Sequence, residues 1–114
     1  MDKGTLCRIR DLSRAIEEYS QAFEAAFGIG LTQAVMLCQL RQTPDMGPGE
    51  LAHSLGLKGP HASKLIAQLE AQRLVRRRLC KEDKRCMRFS LTEAGLRRLA
   101  ELEAASLPLP DALR

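Results

Sequence analysis

The stretch that decides the fold is PGELAHSLGLKGPHASKLIAQLEAQR, residues 48–73. It contains two helical segments separated by the tight turn GLKG. Pro48 suits the first helical position after Gly47, and Gly56 is placed to end the first helix. The second helix opens at the next Gly-Pro pair and continues to the end of the stretch. Two helices joined by such a turn predict a helix-turn-helix motif.

The second helix of this motif has two chemically different faces. Its inward stripe consists of Ala62, Leu65, Ile66 and Leu69. The opposite face is small or polar and carries no carboxylate before Glu70. That face comprises Pro60, His61, Ser63, Lys64, Ala67 and Gln68. Such a surface is suited to a recognition helix that enters the major groove of DNA.

The segment that follows, RRRLCKEDKRCMRFSLT at residues 76–92, combines strand and turn signals. An extended run begins at Leu74, the polar turn KEDKR follows, and apolar and polar residues then alternate in MRFSL. This pattern predicts a β-hairpin, and Thr92 is predicted to cap a last helix. A hairpin directly after a recognition helix is a wing, which can reach the DNA backbone or minor groove.

The residues before the helix-turn-helix predict a long amphipathic helix that ends near Gly28. Its apolar stripe, at spacings of three and four, comprises Ile9, Leu12, Ile16, Tyr19, Phe23 and Phe27. The stripe is too long for a small core to cover, so we expect this helix to supply most of a homodimer interface. A further helix, predicted to be capped by Thr32, runs until the breaker TPDMGPG.

The expected fold is therefore mainly α with a small β-hairpin wing, a winged helix-turn-helix. We expect one domain, consistent with a length of 114 residues. Within it, residues 5–30 form the dimerisation helix, residues 31–91 the winged helix-turn-helix core, and residues 92–114 a C-terminal helix and tail. Leu107 and Leu109 in that tail are expected to help the dimer interface.

Charge is concentrated in one third of the chain. The formal net charge is +4, yet the ten Lys and Arg residues against three acids between Lys58 and Arg88 give that segment a net charge of +7. A concentrated excess favours a polyanionic partner, and double-stranded DNA is favoured over a membrane because no basic amphipathic helix accompanies it. The sequence has no glycine-rich phosphate loop and no nucleophile motif, so we expect neither an enzyme nor a cofactor.

The cysteines and the N-terminus bear on localisation and redox chemistry. No apolar run of about 18 residues and no signal-peptide core occurs, so a cytoplasmic protein with reduced thiols is expected. Cys38 lies in an apolar run and is predicted to be in the core. Cys80 and Cys86 flank the wing turn as candidate cross-strand neighbours, for which a regulatory disulfide is an open alternative. The sequence has no C-x-x-C motif, so no metal site is expected.

From Leu31 to Leu99, the order LT, ELAHSLGL, KLIAQLEAQRLVRR, EDKR and FSLTEAG resembles the MarR family of bacterial transcription regulators. The D-x-R pair at the wing, Asp83 and Arg85, followed by LTEAG is the most specific part. The resemblance implies a homodimer on a pseudo-palindromic operator, usually repressing transcription until a small molecule or an oxidant releases it. A winged-helix module for protein assembly without specific DNA binding is the alternative.

The resemblance also implies roles for individual residues. DNA contacts fall to the recognition-helix face and to the wing tip, that is, to Pro60, His61, Ser63, Lys64, Gln68, Lys84 and Arg85. Asp83 is expected to orient the neighbouring arginine. Cys7 lies about where peroxide-sensing members carry a reactive thiol, and packing is its other interpretation.

Two departures from the family pattern are visible. Arg73 stands where the pattern usually has glycine, so the turn after the recognition helix must accommodate a side chain. The sequence ends at LPLPDALR, whereas family members commonly add a long C-terminal dimerisation helix.

Overall fold

The computed structural model describes residues 1–82 and 86–114. This part of the chain contains five α-helices, a two-stranded antiparallel sheet and a short 3₁₀ turn, Asp111–Leu113. The helices are α1 (Lys3–Phe27), α2 (Leu31–Gln42), α3 (Pro48–Ser54), α4 (Gly59–Ala71) and α5 (Glu93–Ala104). The strands are β1 (Val75–Leu79) and β2 (Met87–Leu91). The predicted class, mainly α with a β-hairpin wing after a helix-turn-helix, is confirmed.

The described chain divides into two compact units. One comprises Met1–Leu31 together with Ala105–Arg114, and the other comprises Thr32–Ala104. The first contains α1 and the tail, and the second contains the helix-turn-helix, the hairpin and α5. The expectation that they form a single domain stays a prediction.

In the first unit, α1 begins at Lys3, before the apolar stripe from Ile9 to Phe27 that predicted the helix. The Asp2 carboxylate accepts a hydrogen bond from the Thr5 N–H (2.7 Å), which caps the helix and lowers the pKa of Asp2. Gly28, at φ 70°, ends the helix as expected. The Tyr19 hydroxyl donates to the Leu107 carbonyl at 2.8 Å, so the tail is tied to α1.

The second unit has a hydrophobic core of its own. Its fully buried large side chains are Met36, Leu37, Leu40, Leu51, Leu69, Val75 and Phe89. Arg41 of α2 forms a two-bond ion pair with Glu103 of α5 (Nη2 to Oε2, 2.9 Å), which lowers the pKa of Glu103. The prediction that Thr32 caps α2 is wrong, because α2 already includes Leu31 and Thr32 lies inside its first turn.

The hairpin is anchored to the loop between α2 and α3. Arg77 pairs with Phe89 in the antiparallel register, and the N–H of Phe89 donates to the Met46 carbonyl at 2.8 Å. Met46 and Phe89 thereby form an isolated bridge that adds a third short segment beside the sheet. This bridge fixes where the wing starts relative to the helix-turn-helix.

The turn after α4 accommodates Arg73 in a left-handed conformation, at φ 62°. The N–H of Arg73 donates to Glu70 (2.9 Å) and the N–H of Leu74 to Leu69 (3.0 Å), which is the hydrogen-bond pattern of a Schellman motif. Glycine is the usual residue at this position because a Cβ makes the left-handed region costly. The departure from the family pattern therefore leaves the turn intact and places an arginine in it.

The LTEAG segment fastens α5 to this same turn. The Thr92 hydroxyl accepts from the Gly95 N–H (3.0 Å) as the predicted helix cap and donates to the Arg73 carbonyl (2.7 Å). The N–H of Thr92 also donates to the Leu74 carbonyl at 3.1 Å. A Cβ on Gly95 would lie within 3.0 Å of the Leu74 oxygen, closer than real Cβ atoms approach. Glycine is required here by close backbone packing.

Candidate nucleic-acid interface

The outer face of α4 is open to solvent. Every residue expected on it is exposed: Pro60, His61, Ser63, Lys64, Ala67 and Gln68. On the opposite face, Ala62, Ile66 and Leu69 are buried, while Leu65 is half-buried. The face therefore presents an imidazole, a hydroxyl, an ammonium group and an amide together, without a carboxylate before Glu70. These are groups that can hydrogen-bond to base edges or phosphates.

Gln68 is positioned by a residue that sequence reasoning missed. The buried Gln33 of α2 donates from Nε2 to the Gln68 side-chain oxygen at 2.8 Å. The same nitrogen lies 3.4 Å from the Leu65 carbonyl. Gln68 thus keeps its amide N–H groups for a partner while its oxygen is engaged. The sequence feature that could have identified Gln33 is its place, as a polar residue, among the core-facing positions of α2.

Three of the arginines counted in the basic segment are paired within the protein. Arg77 contacts Glu70 (Nη2 to Oε1, 2.9 Å), and its guanidinium lies 5.8 Å from the centre of the Phe89 ring. Arg78 and Arg88 stand directly opposite each other on β1 and β2. Two like charges in that position repel each other unless other groups compensate them.

Compensation comes from two carboxylates outside the basic segment. Asp45, at φ 59°, lies 3.6 Å from Arg78 through its carboxylate and accepts from Arg88 through its backbone carbonyl at 3.3 Å. The Glu50 carboxylate pairs with Arg88 and also accepts from the Gly47 N–H at 3.4 Å. This Glu50–Arg88 pair connects the first turn of α3 to the wing. The sequence analysis counted these arginines only toward the net charge of the segment, because it could not place the two acids beside them.

Other cations of the basic segment are exposed and unpaired. Within residues 1–82 and 86–114, Lys58, Lys64 and Arg73 have no ion-pair partner. Lys58 immediately precedes α4, Lys64 lies on its outer face, and Arg73 follows its end. Unpaired cations therefore occur before, within and after α4. The expected wing-tip residues Asp83, Lys84 and Arg85 lie outside the described residues.

The cysteines fall into two classes. A disulfide joins Cys80 and Cys86, whose Cα atoms are 5.4 Å apart, and both residues are half-buried. Cys7 is a free, exposed thiol on α1. Cys38 is half-buried rather than fully in the core, and its sulfur lies 3.8 Å from the Gln42 amide nitrogen. The described residues contain no cluster of three His, Cys, Asp or Glu side chains that could hold a metal ion.

The α1 stripe is partly exposed and partly covered within one chain. Within the stripe, Ile9 and Ile16 keep about half of their surface exposed (51% and 52%), while Leu12 and Tyr19 are half-buried. Leu6, which precedes the stripe on the same helix, is also exposed (58%). These side chains are available to a partner helix. Phe23 was also expected in the dimer interface, but only 8% of its surface is exposed in a single chain, and its ring contacts those of Tyr19 and Phe27.

In the described parts of the chain, no single helix is both long enough and apolar enough to cross a membrane. Within residues 1–82 and 86–114, α1 and α2 meet the two criteria together when they are taken as one broken pair.

Three solved structures of transcriptional regulators share this fold. AbsC from Streptomyces coelicolor, a MarR family transcriptional regulator, is 22% identical with a TM-score of 0.73, covering 90% of this chain and 73% of its own. MarR from E. coli in its apo form is 20% identical with a TM-score of 0.74, covering 90% and 75%. A MepR–DNA complex from S. aureus is 22% identical with a TM-score of 0.66, covering 84% and 79%.

The sequence itself gives the family assignment. The family model described as MarR family matches residues 29–87, which include the helix-turn-helix, the first wing strand and the wing turn. The match spans just over half of the chain. The chain belongs to the MarR family of transcriptional regulators.

Proposed function

We propose that this protein is a sequence-specific DNA-binding repressor that binds a pseudo-palindromic operator as a homodimer. The observation that carries the proposal is the exposed face of α4, which combines polar side chains with the unpaired cation of Lys64 and has no carboxylate before Glu70. MepR, which shares this fold, has been solved in complex with DNA. The proposed localisation is the cytoplasm, where the operator would be.

The residues of α4 divide into two roles. His61 and Ser63 are proposed to meet base edges in the major groove, and Gln68, oriented by Gln33, to donate its amide N–H groups there. Lys64 is proposed to contact phosphate, with Lys58 and Arg73 adding charge at the two ends of the helix. Base contacts give sequence specificity, and phosphate contacts give affinity that weakens with salt.

The wing is proposed to extend this contact along the duplex. Lys84 and Arg85 follow the end of β1 in the sequence, and their charges would neutralise phosphates whatever the bases are. Asp83 is proposed to orient Arg85. The Glu50–Arg88 pair and the Met46–Phe89 bridge support this role because they fasten the base of the hairpin to the helix-turn-helix.

Dimerisation is proposed to use the exposed part of α1. Leu6, Ile9 and Ile16 present apolar surface that a second copy would remove from water, at about 25 cal/mol per Å². Two linked recognition helices would then read half-sites separated by about one helical turn, roughly 34 Å. Release is proposed to follow binding of a small molecule, or oxidation of the exposed Cys7, at or beside this interface.

DNA binding is tested by titrating a fluorescent random-sequence duplex at several salt concentrations. We expect affinity to fall steeply with salt, and Lys64→Ala to flatten the slope by about one unit per subunit if Lys64 contacts one phosphate. Arg97→Ala is the matched control, because it removes an exposed cation from α5 rather than from the helix-turn-helix or hairpin. Salt-insensitive or absent binding would instead support a protein-assembly module.

Specificity requires a second measurement on a defined site. Footprinting on DNA upstream of the protein's own gene would supply a candidate operator, and single base changes in it would then be compared. His61→Ala should lose about 1–3 kcal/mol of discrimination at one base pair in each half-site. Lys64→Ala should weaken binding to all the duplexes by similar factors. If both variants weaken every duplex equally, α4 does not read sequence through His61.

A further inference from the structure

The side-chain amide of Gln33 joins α2 to the recognition helix α4. Gln33 is buried, with 7% of its surface exposed, among the core residues of α2. Its Nε2 atom lies 2.8 Å from the side-chain oxygen of Gln68 and 3.4 Å from the backbone carbonyl oxygen of Leu65. Both acceptors belong to α4 and lie about one turn apart. A buried polar side chain therefore contacts the recognition helix at two points.

The Leu65 carbonyl fixes which end of the Gln33 amide faces α4. A backbone carbonyl can only accept a hydrogen bond, so the Gln33 group beside it must be the NH₂ group and not the oxygen. With the amide reversed, two carbonyl oxygens would face each other inside the protein, where an unpaired polar group is costly. The main chain of α4 thus decides the orientation of Gln33.

The orientation of Gln33 in turn fixes that of Gln68. Because Gln33 donates through its NH₂ group, its partner at 2.8 Å must be the oxygen of the Gln68 amide and not the nitrogen. The Gln68 side chain is otherwise exposed on the outer face of α4. Gln68 therefore offers two hydrogen-bond donors to a partner on that face, while its oxygen is held toward the protein.

We propose that Gln33 is a positioning residue for base recognition, which makes Gln68 select guanine over adenine at one base pair in each half-site. This inference rests on the proposed DNA-binding function. In the major groove, guanine presents two neighbouring acceptors, N7 and O6, whereas adenine presents the acceptor N7 beside the donor N6. An unconstrained glutamine suits adenine, because its oxygen accepts from N6 while its nitrogen donates to N7. The bond from Gln33 withdraws that oxygen and leaves the donors that guanine accepts.

The test first locates the base pair that Gln68 contacts. Selection from a random duplex library by the wild-type protein, with sequencing of the bound fraction, gives the preferred site. The same selection with Gln68→Ala should lose its base preference at one position in each half-site. Duplexes are then made that carry each of the possible base pairs at this position, in one half-site only.

The affinities for the guanine and adenine duplexes give a ratio for each protein. Wild-type protein should bind the guanine duplex about fivefold or more tightly, the low end of what a good base contact gives. Gln33→Met keeps the length of the side chain but has no amide, so the Gln68 amide can turn over and the ratio should fall to about one or below. Any unfolded fraction of a variant cancels in the ratio, because both affinities are measured on one preparation.

Gln39→Met is the matched control on the same helix. The Gln39 amide donates to the Thr43 hydroxyl at 3.3 Å, four residues along the chain, rather than to α4. This variant should therefore keep the wild-type ratio.

Proton exchange of the side-chain amides, followed by NMR, tests the orientation without DNA. The NH₂ protons of Gln33 should exchange slowly because they are buried and bonded, and those of Gln68 should exchange fast because they face solvent. Slow exchange of the Gln68 protons with fast exchange of the Gln33 protons would mean the reverse orientation and would overturn the proposal.

The binding measurements can also overturn it. A wild-type preference for adenine at the Gln68 position, no position lost in Gln68→Ala, an unchanged ratio in Gln33→Met, or an equal change in Gln39→Met would each do so. The first outcome is read from the wild type and does not depend on the folding of any variant. If a site is enriched and His61→Ala relaxes another position while the Gln33→Met ratio is unchanged, the proposed function stands and this inference alone fails. If selection enriches no sequence, both fail.

Discussion

Replacing Arg73 by glycine should stabilise the protein relative to replacing it by alanine. Arg73 lies in the turn after α4 at φ 62°, in the left-handed region where a Cβ comes too close to the following carbonyl oxygen. Glycine relieves this strain and alanine retains it. Both substitutions remove the same charge and the same long side chain, so the alanine variant is a matched control.

The magnitude follows from two opposing effects. Left-handed backbone costs a residue with a Cβ about 1–2 kcal/mol. Against this, glycine lowers the free energy of unfolding by about 0.5–1 kcal/mol relative to alanine, because a chain with glycine is more flexible when unfolded. The net difference in the free energy of unfolding should be about 0.5–1 kcal/mol in favour of Arg73→Gly. For a chain of this size that corresponds to roughly 2–5 °C in Tm.

Urea unfolding followed by far-UV circular dichroism measures this difference. The two variants should have the same dependence of unfolding free energy on urea, and the glycine variant should have the higher midpoint. Their DNA affinities should fall together, because both lack the cation. If Arg73→Gly is no more stable than Arg73→Ala, the left-handed conformation of Arg73 does not strain the turn.

Three further predictions follow from contacts in the two units. Gly95→Ala should lower the free energy of unfolding by about 3 kcal/mol because its Cβ overlaps a backbone oxygen, whereas Gly49→Ala, with open space around it, should not destabilise α3. A double-mutant cycle on Glu50 and Arg88 should give a coupling free energy of about 0.2–1 kcal/mol, and because the pair is partly exposed this coupling should shrink at high salt. A coupling of zero at low salt would contradict the anchoring of the wing. Ile16→Glu should sediment as a monomer at micromolar concentration while the wild type sediments as a dimer, and a monomeric wild type would refute the proposed interface.

Local chemistry explains why much of the fold was predictable. Gly47, Pro48 and Gly56 carry the start and end signals of α3, and the structure has its boundaries there. The alternation in MRFSL predicted β2, and the hydroxyl of Thr92 caps the last helix as expected. These features depend on residues within a few positions of one another, which a sequence displays directly.

Features that depend on distant residues were not predictable in the same way. The sequence shows that Asp45 and Glu50 are acidic but not that they lie beside Arg78 and Arg88. The hydrogen bond from the buried Gln33 to Gln68 of the recognition helix likewise joins residues far apart in the chain.

Periodicity and capping rules have limits of their own. Periodicity identified the apolar face of α1 but could not show that Phe23 is covered within a single chain while Ile16 is exposed. Thr32 was misassigned as a cap because a two-residue shift in the start of the helix changes the capping residue while leaving the periodicity unchanged.

The central claim is that this family member binds DNA through α4 and the wing. Its most direct test is the salt dependence of DNA binding by the double variant Lys84→Ala, Arg85→Ala. Wild-type and variant protein would be titrated with the same duplex across a series of salt concentrations. If each side chain contacts one phosphate, the slope of log K against log salt should flatten by about two units per subunit, with weaker binding to every duplex. An unchanged slope and affinity would show that the wing does not contact DNA and would contradict the account.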